Sequence, residues 1–229
     1  MKAVLISIQP YYVFLIIARL MGWNIPQEKT VEVRKDYPKD NAWNKEVRIY
    51  CSKNSKSFKR IPKQYQPFMK KLLGKVIGEF VCDRIDEYHT EFYAEDNVYQ
   101  EIRRVWLDPD YDYPYEDFEI IASNDAENLG DNQLLRDSSL SLYELKQYVG
   151  YGWGRVFGWH ISDLKIYDKP KELGEFKYPC RRGYNDINNA WCYRERGLRL
   201  TMCKYNDMKN SRCSAYLTRP PQSWCYVEG

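Results

Sequence analysis

The chain divides its apolar residues into short runs, each stopped by proline, glycine or charge. Ala3–Ile8, Lys29–Arg34, Glu46–Cys51, Lys75–Ile85, Val156–Tyr167 and Ser223–Glu228 are strand-like, with β-branched and aromatic residues prominent. Two segments carry helical spacing instead. Pro10–Met21 starts with proline at its first turn, where the missing N–H is not needed. Ser139–Val149 starts with a serine cap and sets Leu142, Leu145 and Val149 on one face. Short strands with few helices predict an α+β fold on a small β-barrel of five to six strands, with two flanking helices and large insertions. Gly78, inside the strongest run, predicts a bulge or the close approach of another backbone. A Walker or dinucleotide-type glycine loop is absent from the sequence, which argues against nucleotide hydrolysis and hydride transfer.

A length of 229 residues suits one elaborated domain. We read residues 1–229 as a single domain with three insertions: a basic loop at 53–73, an acidic Tyr-rich segment at 86–137 and a basic Cys-rich segment at 169–218. Charge is sorted along the chain. Val47–Gly78 holds nine Lys/Arg and no acid, whereas Glu79–Asp137 holds eighteen acids and four basic residues. Such blocks predict a phosphate-binding face and an acidic surface able to dock a basic protein partner. The N-terminal apolar run is split by Gln9-Pro10 and interrupted by Arg19, so it is too short for the roughly 20 residues of a spanning helix. A cytoplasmic protein with no membrane partner is expected. Of seven cysteines, Cys51 and Cys82 sit in apolar strands and are expected to be buried free thiols. Cys180, Cys192, Cys203 and Cys213 could converge on zinc, although no close CxxC pair is present. No other cofactor is expected.

The segment Lys29-Thr30-Val31-Glu32-Val33-Arg34 carries the most chemistry. On a strand, Thr30, Glu32 and Arg34 share one face as a row of hydroxyl, carboxylate and guanidinium. Glu32 could accept from an exocyclic amine and Arg34 could grip a phosphate or carbonyl pair. Lys29 stands at the strand entrance. The bland alternative is an exposed Glu32–Arg34 pair worth about 0–1 kcal/mol. Trp159 and Trp224 could wall a base pocket, with His160 beside them, and the Pro220-Pro221 pair could position Arg219 and Gln222 over it. Tyr11 and Tyr12 open the first helix, where free N–H groups can meet an anion. Lys53, Lys56, Lys59, Arg60, Lys63, Lys70 and Lys71, interleaved with Phe58, Tyr65 and Phe68, fit the pattern for tracking a nucleic-acid backbone.

Five segments in order, MKAVLISIQPYYV, KTVEVRK, GKVIGEFVCDRI, GWHISDLKIYDKPKEL and RPPQSWCYVE, resemble the ASCH domain family of the PUA-like superfamily. More narrowly, the chain is similar to longer bacterial and phage ASCH proteins. The resemblance covers about half of the chain and implies a PUA-like barrel with a cleft beside the Lys29–Arg34 strand, in proteins thought to bind RNA or other nucleic acid. One branch of the family removes an acyl group from acetylated cytidine, and another has been linked to ribonuclease activity. The amidohydrolase branch uses a Lys, a Thr nucleophile three positions later and a Glu. Here Lys29 matches, but Glu32 stands where that Thr would be. The expected function is therefore binding of RNA or a modified nucleotide. The alternatives are a hydrolase acting on an acylated base or on RNA, with Lys29 and Glu32 as its catalytic pair, and a protein-interaction module using the acidic insertion.

Overall fold

The computed structural model describes residues 2–25, 27–38, 45–92, 98–106, 117–124, 133–150, 152–178, 183–184, 190–191, 206–207, 212–213 and 216–228. In chain order the elements are β1 (Lys2–Ile8), α1 (Pro10–Ile17), β2 (Val31–Arg34), β3 (Lys45–Cys51), α2 (Ser55–Lys59), α3 (Gln66–Lys70), β4 (Lys75–Cys82), β5 (Ile85–Phe92), β6 (Val98–Trp106) and β7 (Asp117–Asn124). There follow α4 (Gln133–Ser138), α5 (Leu142–Val149), β8 (Gly152–His160), β9 (Ser162–Glu172), two short hairpins (β10, Gly183–Tyr184, with β11, Ala190–Trp191; β12, Asn206–Asp207, with β13, Arg212–Cys213) and β14 (Trp224–Glu228).

The class is α+β, and the strands form two five-stranded sheets rather than a closed barrel. The first has the order β14-β1-β3-β4-β9 and the second β2-β8-β5-β6-β7. One antiparallel ribbon belongs to both. β4 pairs with β9 in the first sheet, and β5 pairs with β8 in the second. The ribbon crosses between the sheets at Asp83-Arg84 and Ile161, where the His160 N–H donates to the Arg84 carbonyl at 3.0 Å. The acidic segment then adds β6 and β7 beyond β5, so the second sheet ends in the open edges β7 and β2 instead of closing. Acidic and Tyr-rich composition concealed that these residues pair as a meander.

β1 and β3 run parallel, and α1 lies in the connection between them. A helix reading Pro-Tyr-Tyr-Val-Phe-Leu-Ile-Ile is apolar nearly all round and has to be buried. Val13, Phe14, Ile16 and Ile17 accordingly join Val4, Ile6, Val47, Ile49, Phe80 and Trp159 in the main core. The other face of the first sheet buries Leu5, Tyr50, Val76 and Val227 against Phe176 and Leu217. β1 is covered on both faces, which explains its unbroken apolar run. Gly78 marks a register shift between β4 and β9, and a Cβ there would lie 2.2 Å from the Lys165 carbonyl oxygen, as the close-approach reading expects. The segment 53–73, expected as a loop, is mostly helical: Pro67 falls in the first turn of α3, where proline is tolerated. Among the described residues no helix is long and apolar enough to cross a membrane.

Candidate functional site

β2 is shorter than its motif. The strand begins at Val31, and Lys29 and Thr30 precede it. Val31 and Val33 pack with Tyr88 and Val156 against Leu134 of α4 and Leu145 of α5. Alternation sends Glu32 and Arg34 to the opposite face, the face of Phe157 and Trp159 in the adjoining strand. That face looks toward the first sheet, so the pair is not a surface pair. Lys29, Glu32 and Arg34 are only 4%, 6% and 8% exposed.

The three charges form one cluster. Arg34 Nη2 donates to Glu32 Oε1 at 2.8 Å and to the Ser7 carbonyl at 2.8 Å. Lys29 Nζ donates to the carbonyls of Val31 (2.7 Å) and Ser138 (2.8 Å) and lies 3.3 Å from Glu32 Oε2. Lys29 is placed by the end of α4. A helix leaves its last carbonyls unsatisfied, and a cation is favoured there. Gln27 Nε2 takes the Arg136 carbonyl at 2.9 Å, the Thr30 N–H takes that of Asp137 at 2.8 Å, and the Lys29 ammonium takes that of Ser138. Burial pulls the Lys29 pKa below the usual lysine range, and the Glu32 carboxylate opposes it. The ammonium thus donates to two backbone carbonyls and has Glu32 Oε2 beside it as its ion-pair partner.

The cluster forms part of the lining of a cleft of about 560 Å³. Ser7, Ile8 and Gln9 line it where β1 passes into α1, with Tyr12 on that helix. Ser52 follows β3, Gln222 and Ser223 precede β14, and Tyr143, Glu144, Gln147 and Tyr148 come from α5. These four α5 residues, at i, i+1, i+4 and i+5, share one helix face. α5 is fixed by a capping box between Ser141 and Glu144. Glu144 Oε1 also accepts from the Tyr12 hydroxyl at 2.9 Å and pairs with Arg60, just after α2. Burial works against the Glu144 charge, but bonds from Ser141, Tyr12 and Arg60 outweigh it and lower its pKa. Burial and the Glu144 bond raise that of Tyr12.

Among the described residues, three buried polar atoms of the cleft lining have no hydrogen-bond partner: Glu32 Oε2, Arg34 Nε and Ser52 Oγ. Glu32 Oε2 sits beside the Lys29 ammonium as an ion pair, outside hydrogen-bond geometry. Buried polar groups are seldom left without partners, and these three could bond a ligand in the cleft.

The remaining sequence candidates are scattered. Thr30 is exposed, its hydroxyl 3.5 Å from the Asp137 carbonyl, and it lies outside the cleft lining. Trp159 is 1% exposed in the core and packs on half-buried Trp224, ring centroids 6.1 Å apart, and neither lines the cleft. His160 sits at the ribbon corner, bonded to Asp86 at 2.8 Å and contacting Arg84. Gln222 lines the cleft, whereas exposed Arg219 does not. Lys53, Lys56, Lys59, Arg60, Lys63, Lys70 and Lys71 are all exposed, but Phe58, Tyr65 and Phe68 pack inward on the core, where Tyr65 stacks on Trp23 at 4.7 Å. Cys180, Cys192 and Cys203 lie outside the described residues, and Cys213 is described only as part of β13. Sequence reasoning missed Ser52 and the α5 row. The row's spacing was readable, but nothing in it said which face of α5 met a cleft.

Among solved structures, the chain is similar to that of ASCH from Zymomonas mobilis, at 16% identity and a TM-score of 0.39, with 75% of this chain and 73% of that chain covered. No fold assignment, site residue or activity is carried across this likeness. No family model matches the chain, and no curated protein matches it.

Proposed function

We propose that the chain is a binding module that takes the base of an RNA or of a modified nucleotide into the cleft beside β2. The observation that carries this reading is Glu32 Oε2, a buried carboxylate oxygen of a cleft-lining residue that has the Lys29 ammonium beside it as an ion pair and, among the described residues, no hydrogen bond. Nucleobases present ring and exocyclic N–H groups that such an oxygen accepts. Tyr12, Tyr143 and Tyr148 supply aromatic faces for stacking. A cleft of about 560 Å³ is within the range of small-molecule sites. Binding is favoured over turnover because Lys29 is held by two carbonyls and paired with Glu32, and Thr30 points away, so neither is placed to act as base or nucleophile.

The exposed lysines of α2 and α3 offer a path for an RNA backbone leading to the cleft. α2 meets the cleft wall directly, through Ser57 on the Tyr11 N–H and Arg60 on Glu144. Equilibrium binding of nucleosides and of a short single-stranded RNA at several salt concentrations tests the reading. Nucleosides should bind with little salt dependence. RNA should bind more tightly, and removing Lys56, Lys59 and Lys63 should flatten its salt slope by about 0.7 per lost phosphate contact. Absence of binding by any nucleoside or RNA would refute the reading, and release of an acyl group or cleavage of RNA would move it to hydrolysis.

A further inference from the structure

We infer that the cleft contains a built anion subsite at the N-terminus of α1, which takes a phosphate group of the bound nucleotide. The inference rests on the nucleotide reading and makes the preferred ligand a nucleotide rather than a nucleoside.

The first turn of a helix presents N–H groups without intrahelical acceptors, at the positive end of its dipole. In α1 the first position is proline, and the Tyr11 N–H is taken by Ser57 Oγ at 3.1 Å. The Val13 N–H returns to the Gln9 carbonyl at 3.0 Å, and the Gln9 side chain makes no cap. The Tyr12 N–H finds no acceptor among the described residues. Gln9 and Tyr12 both line the cleft, so this end of the helix opens into it.

A second observation, independent of the helix, points to the same place. The Arg34 side chain is 9% exposed and lines the cleft, and its Nε–H has no acceptor although Nη2 has two. One of those acceptors is the Ser7 carbonyl, two residues before the helix cap, so the guanidinium is held at the foot of α1. Ser52 Oγ, on the neighbouring lining segment, is likewise without a partner. Its own N–H donates to the Ile8 carbonyl at 2.8 Å, which fixes it against the same β1–α1 junction. Among the described residues, three donors without acceptors therefore belong to cleft-lining residues around the β1–α1 junction: a helix N–H, a guanidinium N–H and a hydroxyl. Phosphate is an acceptor with several oxygens, and it suits this set.

The charge balance agrees. Lys29, Arg34 and Arg60 stand against Glu32 and Glu144, with Glu144 acting on Lys29 as well as pairing with Arg60, so these five groups carry one net positive charge. Glu32 Oε2 and this donor set are complementary: one accepts from the base, and the other donates to the phosphate.

Calorimetric titration of paired nucleosides and nucleoside 5′-monophosphates, of inorganic phosphate, and of a short RNA with and without a 5′-phosphate tests the inference. Each monophosphate should bind about tenfold or more tightly than its nucleoside, as charge-assisted hydrogen bonds predict. Inorganic phosphate should compete with the monophosphate. Ser52→Ala, which leaves the buried ion cluster untouched, should erase most of that advantage, read as the ratio of monophosphate to nucleoside affinity in the same variant. If the RNA gains from its 5′-phosphate, the source is a chain end; if only mononucleotides gain, it is a free nucleotide. Equal affinity for nucleoside and monophosphate would overturn the subsite and leave the nucleobase reading standing. Phosphate binding that depends on Ser52 without any nucleoside binding would do the reverse. An advantage lost on removing Lys56 and Lys59 but kept in Ser52→Ala would place the phosphate on the outer face and overturn the inference.

Discussion

Arg34 donates to Glu32 at 2.8 Å across a single strand face, and both side chains are more than nine-tenths buried. A pair at that depth couples folding to the site. Removing one member breaks a buried, hydrogen-bonded pair, at a cost of about 3–5 kcal/mol. Arg34→Met should therefore lower the melting temperature sharply, because Glu32 would keep only the Lys29 ammonium as a partner. A loss of under about 0.5 kcal/mol, the usual effect of a surface change, would show that the cluster is hydrated in solution.

Glu144 ties α1, α2 and α5 together, and its pKa is lowered. A carboxylate depressed in the folded state adds stability that is present above its ordinary value of about 4.3 and is lost as pH falls through the native value. Wild type should therefore melt above Glu144→Gln at neutral pH, and the difference should vanish in acid. Melting curves of both proteins across the acid range check this. Tyr12→Phe, which removes one bond to Glu144, should cost about 0.5–1.5 kcal/mol. A gap between wild type and Glu144→Gln that persists at low pH would contradict the arrangement.

Much of the scaffold was legible because local rules and tertiary packing agree in it. Pro10 announced α1, the apolar run of Ala3–Ile8 announced a doubly covered strand, and Gly78 announced a close backbone approach. Where the two disagree, the sequence misled. Alternation assigned Glu32 and Arg34 to one face correctly, but periodicity says nothing of depth, and that face looks at a second sheet. Thr30 was placed in the same row because the strand was begun two residues early; the Asp137 carbonyl takes its N–H instead. Phe58, Tyr65 and Phe68 looked available for stacking, and the core claims them. Ser52 carried no local signal, since its place at the cleft is set by the Ile8 carbonyl, far away in sequence.

Burial also governs the thiols. It pushes the pKa of Cys51 and of Cys82 up to about 12 and that of half-buried Cys225 up to about 11. The reactive thiolate is therefore scarce at neutral pH. A thiol reagent followed by peptide mapping should leave Cys51 and Cys82 unlabelled in the folded protein and label them on unfolding. Rapid native labelling of Cys82 would mean that the ribbon corner beside it opens.

The central claim is that Glu32 Oε2 receives a donor from a nucleobase in the cleft. The most direct measurement is calorimetric titration of nucleosides and nucleotides into wild type and Glu32→Gln, each first shown by melting to be folded. The amide keeps the side chain's shape but replaces one accepting oxygen with a donor, so affinity should fall about tenfold or more, in line with about 1.5–3 kcal/mol for a hydrogen bond to a charged group. A folded Glu32→Gln that binds the same ligands as tightly as wild type would contradict the account.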